Sequence, residues 1–330
     1  MKILLGSHYF FPSTGGIETV SNLLAREFVK QGHEVRVVTQ TRDNLNLLFP
    51  VVRAPGPFEL FRQVRWCDVF LQNNISLRTL WPLVFVRRPL FIIHQTWITN
   101  PDGSRGWLHW LKRFVLHYAR SFAISGAIAE SLPVPSIRVG NPYDDEIFKT
   151  AASARTRELV FVGRLVSDKG ASLLLDALKL MKSTPRLTIV GNGPERAGLE
   201  KQAANLQLQA QIEFAGPRHG AQLADLLRQH EILVVPSLWQ EPFGIVALEG
   251  IACGCVVIGS AGGGLSEAIG PCGVTFPNGD ARALADAIEA LLGDPAKRDR
   301  LRQNALKHLA RFTPRQVAAV YLETMTKARR

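Results

Sequence analysis

The sequence predicts an α/β protein with two doubly wound parallel-sheet domains that face each other across a cleft. Its 330 residues exceed the roughly 250 to 300 residues at which a single hydrophobic core stops growing. Apolar runs rich in Val, Ile, Leu and Phe alternate with longer amphipathic stretches, which is typical of parallel sheets covered by helices. The alternation stops in the segment 141–155 and restarts at Glu158, so we place a linker between two domains there.

The first repeat of this pattern lies at the N-terminus. The run KILLGSHYF predicts a strand, and the residues after it predict a turn. Four apolar residues at helical spacing (Ile17, Val20, Leu24 and Phe28) predict a helix that Gly32 ends, and EVRVVT begins the next strand. Further strands are predicted at residues 68–71, 90–94, 121–125 and 137–139 in the first domain, and at 159–162, 187–190, 212–215, 232–236 and 256–259 in the second.

The composition favours a folded protein of the cytoplasm. Hydrophobic residues make up 46% and charged residues 20%, which is far from the composition of disordered chains. The apolar run at the N-terminus is too short for a signal peptide and is interrupted by His8, so we expect no export. The most apolar window, 245–265, carries Glu249 and six glycines, whereas a membrane span needs about 20 apolar residues. The four cysteines lack paired CxxC spacing, and we expect buried, reduced thiols rather than a zinc site.

The net charge of +11 is concentrated in two blocks. Residues 53–138 hold eleven Lys or Arg against four Asp or Glu, and residues 297–330 hold ten against two. A nucleic-acid partner would need a binding motif or a groove that interleaves aromatic and basic residues, and the sequence shows neither. An anionic acceptor or an anionic membrane surface fits the charge as well.

The strongest functional pattern is the pair Glu241 and Glu249 in the segment PSLWQEPFGIVALEGIACGCVVIGS. A strand ends at Pro236, a loop follows, and Gly244 opens an apolar helix. The N-terminus of a helix offers free N–H groups and a partial positive charge, which suit a diphosphate. Carboxylates in the loop and inside the helix can accept hydrogen bonds from a pair of vicinal hydroxyls on a ligand. Apolar neighbours surround Glu249, so we do not expect it to be a freely solvated surface charge.

The spacing from Glu241 to Glu249 matches the EX7E motif, and on it the chain resembles the retaining nucleotide-sugar glycosyltransferases of family 4, which have the GT-B fold of two Rossmann-like domains. The resemblance covers nearly the whole chain. The other matching pieces, in order, are FPSTGGIE with Gly15 and Gly16, the GHEV that follows the first helix, VGRLVSDKG at 162–170, GNGPE at 191–195 and GGGLSEAI at 262–269.

The resemblance implies a role for each matching residue. Glu249 would bind the ribose hydroxyls of the donor, and Glu241 would bind the hydroxyls of the transferred sugar. Arg164 and Lys169 would neutralise the departing diphosphate, where fixed cations act most strongly in the transition state. His94, at the end of a strand, would lie at the cleft rim beside the reacting sugar, with a packed structural histidine as the alternative. The remaining donor-binding candidates are Gly15, Gly16, Gly193, Phe243, Gly244 and Ile245.

The domains implied by the resemblance are an acceptor-binding domain of residues 1–145, to which a C-terminal helix of about residues 314–330 packs back, and a donor-binding domain of residues 150–312. Asn141-Pro142-Tyr143-Asp144 replaces the Asn-Gly-Val-Asp usual in the family at this linker, so the hinge or the acceptor side is expected to differ. Thr313-Pro314 breaks the helical tail, because proline cannot continue a helix from the preceding turn.

The expected reaction is retaining transfer of a hexose from a UDP- or GDP-sugar to a glycan, lipid-linked or small-molecule acceptor. No D-x-D sequence occurs, so we expect metal-independent catalysis, and the nucleotide sugar is the only co-substrate that we expect. Two alternatives stay open. One is a nucleotide-sugar epimerase or a phosphorylase-like enzyme with the same architecture, and the other is a sugar-nucleotide binding protein without turnover.

Residues 105–120 predict an amphipathic helix with Trp107, Leu111 and Tyr118 on one face and Lys112 and Arg113 away from it. We expect the apolar face to be turned to the core and the basic side to water. The alternative is an element that docks on a membrane surface or an acceptor, because aromatic residues with Lys and Arg suit an interface. That alternative would place the protein at the inner face of the membrane.

Overall fold

The computed structural model describes residues 1–13, 15–43, 45, 47–98, 107–151 and 155–329. The chain divides into two compact units. The first unit comprises Met1–Pro142 together with Phe312–Arg330, and the second comprises Tyr143–Arg311. Parts of the predicted linker, of the glycine loop before the first helix and of the predicted helix at 105–120 lie outside the described residues.

Each unit contains one parallel sheet, with seven strands in the first unit and six in the second. The strand orders are β3-β2-β1-β4-β5-β6-β7 and β10-β9-β8-β11-β12-β13. The strands are β1 (Lys2–Ser7), β2 (Glu34–Thr39), β3 (Val51–Arg53), β4 (Val69–Asn73), β5 (Leu90–His94), β6 (Arg120–Ala123), β7 (Ser136–Arg138), β8 (Arg157–Val162), β9 (Leu187–Val190), β10 (Ile212–Gly216), β11 (His230–Val235), β12 (Val256–Ser260) and β13 (Gly273–Phe276).

Helices connect the strands and cover the sheets. They are α1 (Gly16–Lys30), α2 (Pro57–Trp66), α3 (Leu77–Leu80), α4 (Trp107–Leu116), α5 (Gly126–Ser131), α6 (Ala171–Leu180), α7 (Arg196–Asn205), α8 (Gly220–Arg228), α9 (Ile245–Ala252), α10 (Leu265–Ile269), α11 (Ala281–Leu292), α12 (Pro295–Gln303), α13 (Ala305–Leu309) and α14 (Pro314–Arg329). No helix in the described ranges is both long enough and apolar enough to cross a bilayer.

The eleven predicted strands are present, with ends that differ by up to about three residues. Two further strands, β3 and β13, are not predicted from the sequence; they are edge strands of three and four residues. The central strands β1, β4 and β5 are almost entirely buried, because helices on both faces exclude water from a parallel sheet. Apolar runs therefore mark the central strands more clearly than the edges.

The last helix belongs to the first unit and packs on α1. Tyr321 is 1% exposed, and its ring centroid lies 4.5 Å from that of Phe122 on β6 in an edge-to-face arrangement. The buried side of α14 also includes Val317, Ala318 and Met325. Residues three and four apart on a helix share a face, and this apolar face completes the core of the first unit.

The expectation that α4 turns its apolar face to the core is wrong. Trp107 and Tyr118 are 74% and 72% exposed, whereas His109 and Leu116 on the opposite side are buried. The pattern correctly predicted an amphipathic helix. It did not predict the partner of each face: Leu116, with Val115 beside it, packs on the core of the first sheet, and the aromatic row faces outward.

Candidate active site

The loop after β11 and the first turn of α9 form the centre of the candidate site. Gly244 caps α9 with a left-handed backbone of φ 95°, and a Cβ at this position would lie 2.5 Å from Leu265 Cδ1. Only glycine combines this backbone with the available space. Ile245 begins the helix and Phe243 is buried beneath the turn. Among the described residues no side chain caps α9, and Ala247 N donates to Gly244 O at 3.0 Å, so the N–H groups that precede Ala247 would be the ones to meet an anion.

Glu241 is fixed in this loop by two side chains. Its Oε1 atom accepts a hydrogen bond from Ser237 Oγ at 2.7 Å and contacts Lys169 Nζ in an ion pair. Glu241 is only 7% exposed. The Lys169 ammonium also lies 5.8 Å from the centroid of the Trp239 ring, within the range of a cation–π contact. The carboxylate and the ammonium are therefore both oriented before a ligand arrives.

The backbone of the loop is tied to three neighbouring segments. Leu238 N donates to Asp168 O at 2.9 Å, and Gly264 N donates to Glu241 O at 2.7 Å. Asn278 connects two loops, because its Nδ2 donates to Ser237 O at 3.1 Å while its Oδ1 accepts from Gly262 N at 2.7 Å. These bonds hold the residues around Glu241 against the loops that follow β8, β12 and β13.

The segment after β8 carries the two predicted cations. Arg164 is exposed and Lys169 is half-buried against Glu241, so Lys169 and Glu241 are brought into direct contact. Gly170 has φ 71°, and a Cβ there would lie 1.9 Å from Pro236 O, which explains why the chain can pass so close to the end of β11. A Cβ at Gly193 would lie 2.3 Å from Leu165 O. Gly193 therefore packs directly on the backbone of the cation-bearing segment.

Glu249 lies about a turn and a half into α9, between Ala247, Leu248 and Ile251, which are buried. Its own side chain is half-buried. Burial, with a smaller contribution from nearby Asp144, raises the pKa of Glu249 to about 7. A carboxylate with this pKa is ionised only partly at neutral pH, and donors such as hydroxyl groups would favour its charged form.

His94 and the two N-terminal glycines belong to the first unit, whereas the other predicted site residues belong to the second. His94 ends β5, is 1% exposed, and its Nε2 lies 3.1 Å from Ser121 Oγ. Burial lowers the pKa of His94 to about 4, so its imidazole is neutral at physiological pH. Gly15 caps α1 and Gly16 begins it, and a Cβ at Gly15 would lie 2.4 Å from a carboxylate oxygen of Glu18.

Ser237 and Asn278 are two residues of the site that are not predicted from the sequence. Ser237 follows Pro236 at the end of the predicted strand and lies four residues before Glu241. This closeness in sequence to Glu241 could have predicted its place in the site. Asn278 lies 41 residues from Ser237 in sequence, and only the folded chain brings the two together. Neither residue type is diagnostic of a site on its own.

A pair of parallel-sheet units that carries this site has the GT-B architecture of glycosyltransferases, and solved glycosyltransferase-fold structures match nearly the whole chain. Sucrose-phosphate synthase from Thermosynechococcus elongatus superimposes with a TM-score of 0.85 at 22% identity, covering 99% of this chain and 98% of that one. The Anabaena protein HepE, solved in complex with UDP-glucose, superimposes with a TM-score of 0.82 at 20% identity, covering 99% and 100%.

Residues 143–308 match the family model described as Glycosyl transferases group 1. This match covers half of the chain, and the protein belongs to that family. The D-inositol 3-phosphate glycosyltransferase of Stackebrandtia nassauensis is 36% identical over 169 residues, which are 47% of this chain and 38% of that enzyme. The match thus spans well under two thirds of the relative's own length.

Proposed function

We propose that the protein is a retaining family 4 enzyme that transfers a hexose from a UDP-sugar to a glycan, lipid-linked or small-molecule acceptor. One observation carries the proposal. Glu241 is held by Lys169 and Ser237 directly before the N-terminus of α9, and Glu249 follows within the same helix. Sugar hydroxyls, a diphosphate and a ribose diol are the three groups that these elements would bind, in that order along the donor.

The assignment of the donor rests on chemistry and on a neighbour. The free N–H groups of α9 and the two cations Arg164 and Lys169 would bind the diphosphate. Glu249 would accept hydrogen bonds from the ribose, and Glu241 from the hexose. HepE was solved with UDP-glucose, which favours UDP over GDP as the nucleotide of this chain. GDP-sugars remain the second candidate.

In the proposed reaction the bond between the anomeric carbon and the diphosphate oxygen breaks while an acceptor oxygen bonds to the same face of that carbon. The leaving diphosphate gains negative charge, and the ammonium of Lys169 and the guanidinium of Arg164 stabilise that charge more in the transition state than in the bound donor. The acceptor hydroxyl would lose its proton to the leaving phosphate oxygen. We assign no protein nucleophile. His94, being neutral, would contribute a hydrogen bond rather than a charge.

The biological setting that we propose is cell-surface polysaccharide or glycolipid synthesis on the cytoplasmic side of a membrane. A thermal-shift screen of UDP-, GDP- and ADP-sugars tests the donor. We expect a UDP-sugar to raise the melting temperature by mass action and Glu249→Ala to abolish the rise. If no nucleotide sugar stabilises the protein, the proposal is wrong. Interconversion of the donor with no acceptor present would indicate an epimerase instead.

A further inference from the structure

Helix α4 carries a row of aromatic side chains on its exposed face. Trp107, Trp110, Phe114 and, just beyond the helix, Tyr118 are 74%, 61%, 58% and 72% exposed. Their spacing of three and four residues places them side by side on one face. Leu116, on the opposite face, is fully buried. The aromatic row is therefore not the part of the helix that holds it to the sheet.

Neighbouring elements extend this apolar face. Phe58 at the start of α2 is 82% exposed, and Val84 and Phe85 near the short helical turn Trp81–Val84 are 81% and 73% exposed. The inward residues of the same elements, Leu60, Leu80 and Leu116, belong to one buried core cluster. Since these inward sides share one core, the outward sides of α2, the turn and α4 all lie on one side of the first sheet. We call this surface the aromatic face.

Cations border the aromatic face. At about 100° per residue along α4, Lys112 and Arg113 fall at the two edges between the aromatic row and the buried side. Arg65 on α2 and Arg87 in the loop before β5 are also exposed, and Arg88 of that loop donates to Arg65 O at 2.8 Å. The segment 53–138 holds eleven basic residues against four acidic ones, and one of the four, Glu59, pairs with Arg62 at 2.6 Å. The face is thus apolar at its centre and basic around it.

We propose that the aromatic face docks the protein on the surface of a lipid bilayer that contains anionic lipids. Tryptophan and tyrosine rings favour the boundary between headgroups and acyl chains. With the rings at that depth, Lys112 and Arg113 would lie at the height of the lipid phosphates, where each cation adds to the binding. A monomeric soluble protein seldom exposes so many large apolar side chains on one surface without a partner.

The positive charge around the aromatic face favours a bilayer over a second copy of the chain as its partner. A symmetric dimer through the aromatic face would bring two sets of cations together, and like charges opposed at an interface disfavour the pair. An anionic bilayer has the opposite charge and offers the apolar depth that the rings require. The docking surface lies in the first unit, so its effect can be measured separately from donor binding at the second unit.

Sedimentation of the full chain with vesicles tests the proposal. We expect the partition coefficient onto vesicles of mixed phosphatidylglycerol and phosphatidylcholine to exceed that onto phosphatidylcholine alone by at least about tenfold at low salt, and to fall as salt is added. The double variant Trp110→Gln and Phe114→Gln should lower the partition coefficient at least about tenfold. Lys112→Gln and Arg113→Gln should each reduce the preference for phosphatidylglycerol about fivefold.

The matched control is Leu306→Gln, because Leu306 is 86% exposed but lies on α13 of the second unit. We expect it to leave vesicle binding unchanged. Unfolding curves and the thermal shift with UDP-glucose should be the same for all variants, which separates a docking defect from a folding or donor-site defect. Indifference of the wild type to vesicles, or full binding by the double variant, would overturn the proposal. A wild-type dimer that the double variant converts to a monomer would overturn it as well, by assigning the face to self-association.

Discussion

Lys169 Nζ contacts Glu241 Oε1 across 72 residues of sequence, and the same oxygen accepts a hydrogen bond from Ser237 Oγ. One oxygen of the carboxylate is thereby occupied by the protein, and Oε2 is the atom left to meet a ligand. A diphosphate bound at α9 would compete with Glu241 for the Lys169 ammonium. Donor binding would then redistribute hydrogen bonds that already exist rather than order free side chains.

Loss of either partner should damage turnover more than folding. We expect Lys169→Ala and Glu241→Ala each to lower kcat about 10² to 10³-fold, because each group would act on charge or hydroxyls at the reacting end of the donor. Release of UDP from a UDP-sugar, measured as initial rates, is the assay. The control is Glu200→Ala, which breaks the exposed pair with Arg196 and should leave the rate unchanged. Unaltered rates in both site variants would refute the assignment.

Asn278 is expected to act by positioning the loop that carries Glu241. Asn278→Ala removes the bonds to Ser237 O and Gly262 N, and we expect kcat/KM to fall about tenfold. Asn278→Asp keeps the acceptor for Gly262 N but loses the donor, so its activity should lie between those of the wild type and Asn278→Ala. Equal activity of all three proteins would show that the other hydrogen bonds of the loop are enough to position Glu241.

The raised pKa of Glu249 predicts a pH dependence of stability. The folded-state pKa of about 7 lies above the ordinary value of 4.5, so the folded protein holds a proton that the unfolded chain releases. The resulting stability is complete below about pH 4.5 and is lost as the pH rises through 7. We expect Glu249→Gln to exceed the wild type in free energy of unfolding by about 1 to 3 kcal/mol at pH 8, and to equal it near pH 4. Urea unfolding at the two pH values measures this.

The raised pKa of Glu249 also predicts a pH dependence of donor affinity: affinity should rise with pH, whereas stability should fall. An ionised carboxylate accepts hydrogen bonds from both ribose hydroxyls, so UDP-glucose should bind about tenfold more tightly at pH 8 than at pH 6. Calorimetric titration at both values checks the ratio. Glu249→Gln should bind weakly and without this dependence. A wild-type affinity that is constant from pH 6 to pH 8 would contradict the ribose role of Glu249.

Catalysis is expected to need no divalent metal. The sequence contains no D-x-D, and in the described ranges no three His, Cys, Asp or Glu side chains are grouped as metal ligands would be. Transfer rates in EDTA should equal those in Mg²⁺ or Mn²⁺. A rate that EDTA abolishes and Mn²⁺ restores would require a metal site that involves the donor.

Tyr321 should be essential for the stability of the first unit. Removal of its buried ring by Tyr321→Ala leaves a cavity beside Phe122, and we expect a loss of about 3 to 5 kcal/mol. The control on the same helix is Glu323→Ala, whose pair with Lys327 is exposed and whose loss should change little. Urea unfolding followed by near-ultraviolet circular dichroism compares them, and equal midpoints for the two variants would refute this role.

The parts of the fold that sequence predicts well are those with continuous apolar runs. Central strands such as β5 and β11 are such runs, and their ends were placed within one or two residues. The edge strand β3 is only three residues long and none of its residues is fully buried, so its pattern does not differ from that of a loop. The order of apolar and polar residues predicts a strand only where burial leaves a clear pattern, and a short edge strand leaves none.

In the candidate site, too, some residues could be predicted from the sequence and others could not. The motif led to Glu241 and Lys169 because carboxylate and ammonium groups at strand and helix ends are informative residue types. Asn278 was missed because its role depends on two loops that meet only in the fold. The outward direction of the aromatic row on α4 was missed for a related reason, since an amphipathic pattern predicts two different faces without predicting what each one contacts.

The return of α14 to the first unit has a consequence for synthesis of the chain. The second unit is one continuous segment, Tyr143–Arg311, whereas the first is assembled from two segments at opposite ends of that segment. On the ribosome, the second unit can complete its core as soon as its own residues emerge. The sheet of the first unit, although made earlier, has to wait for Val317, Tyr321 and Met325 to cover α1 and β6. We therefore expect the unit translated first to finish folding last.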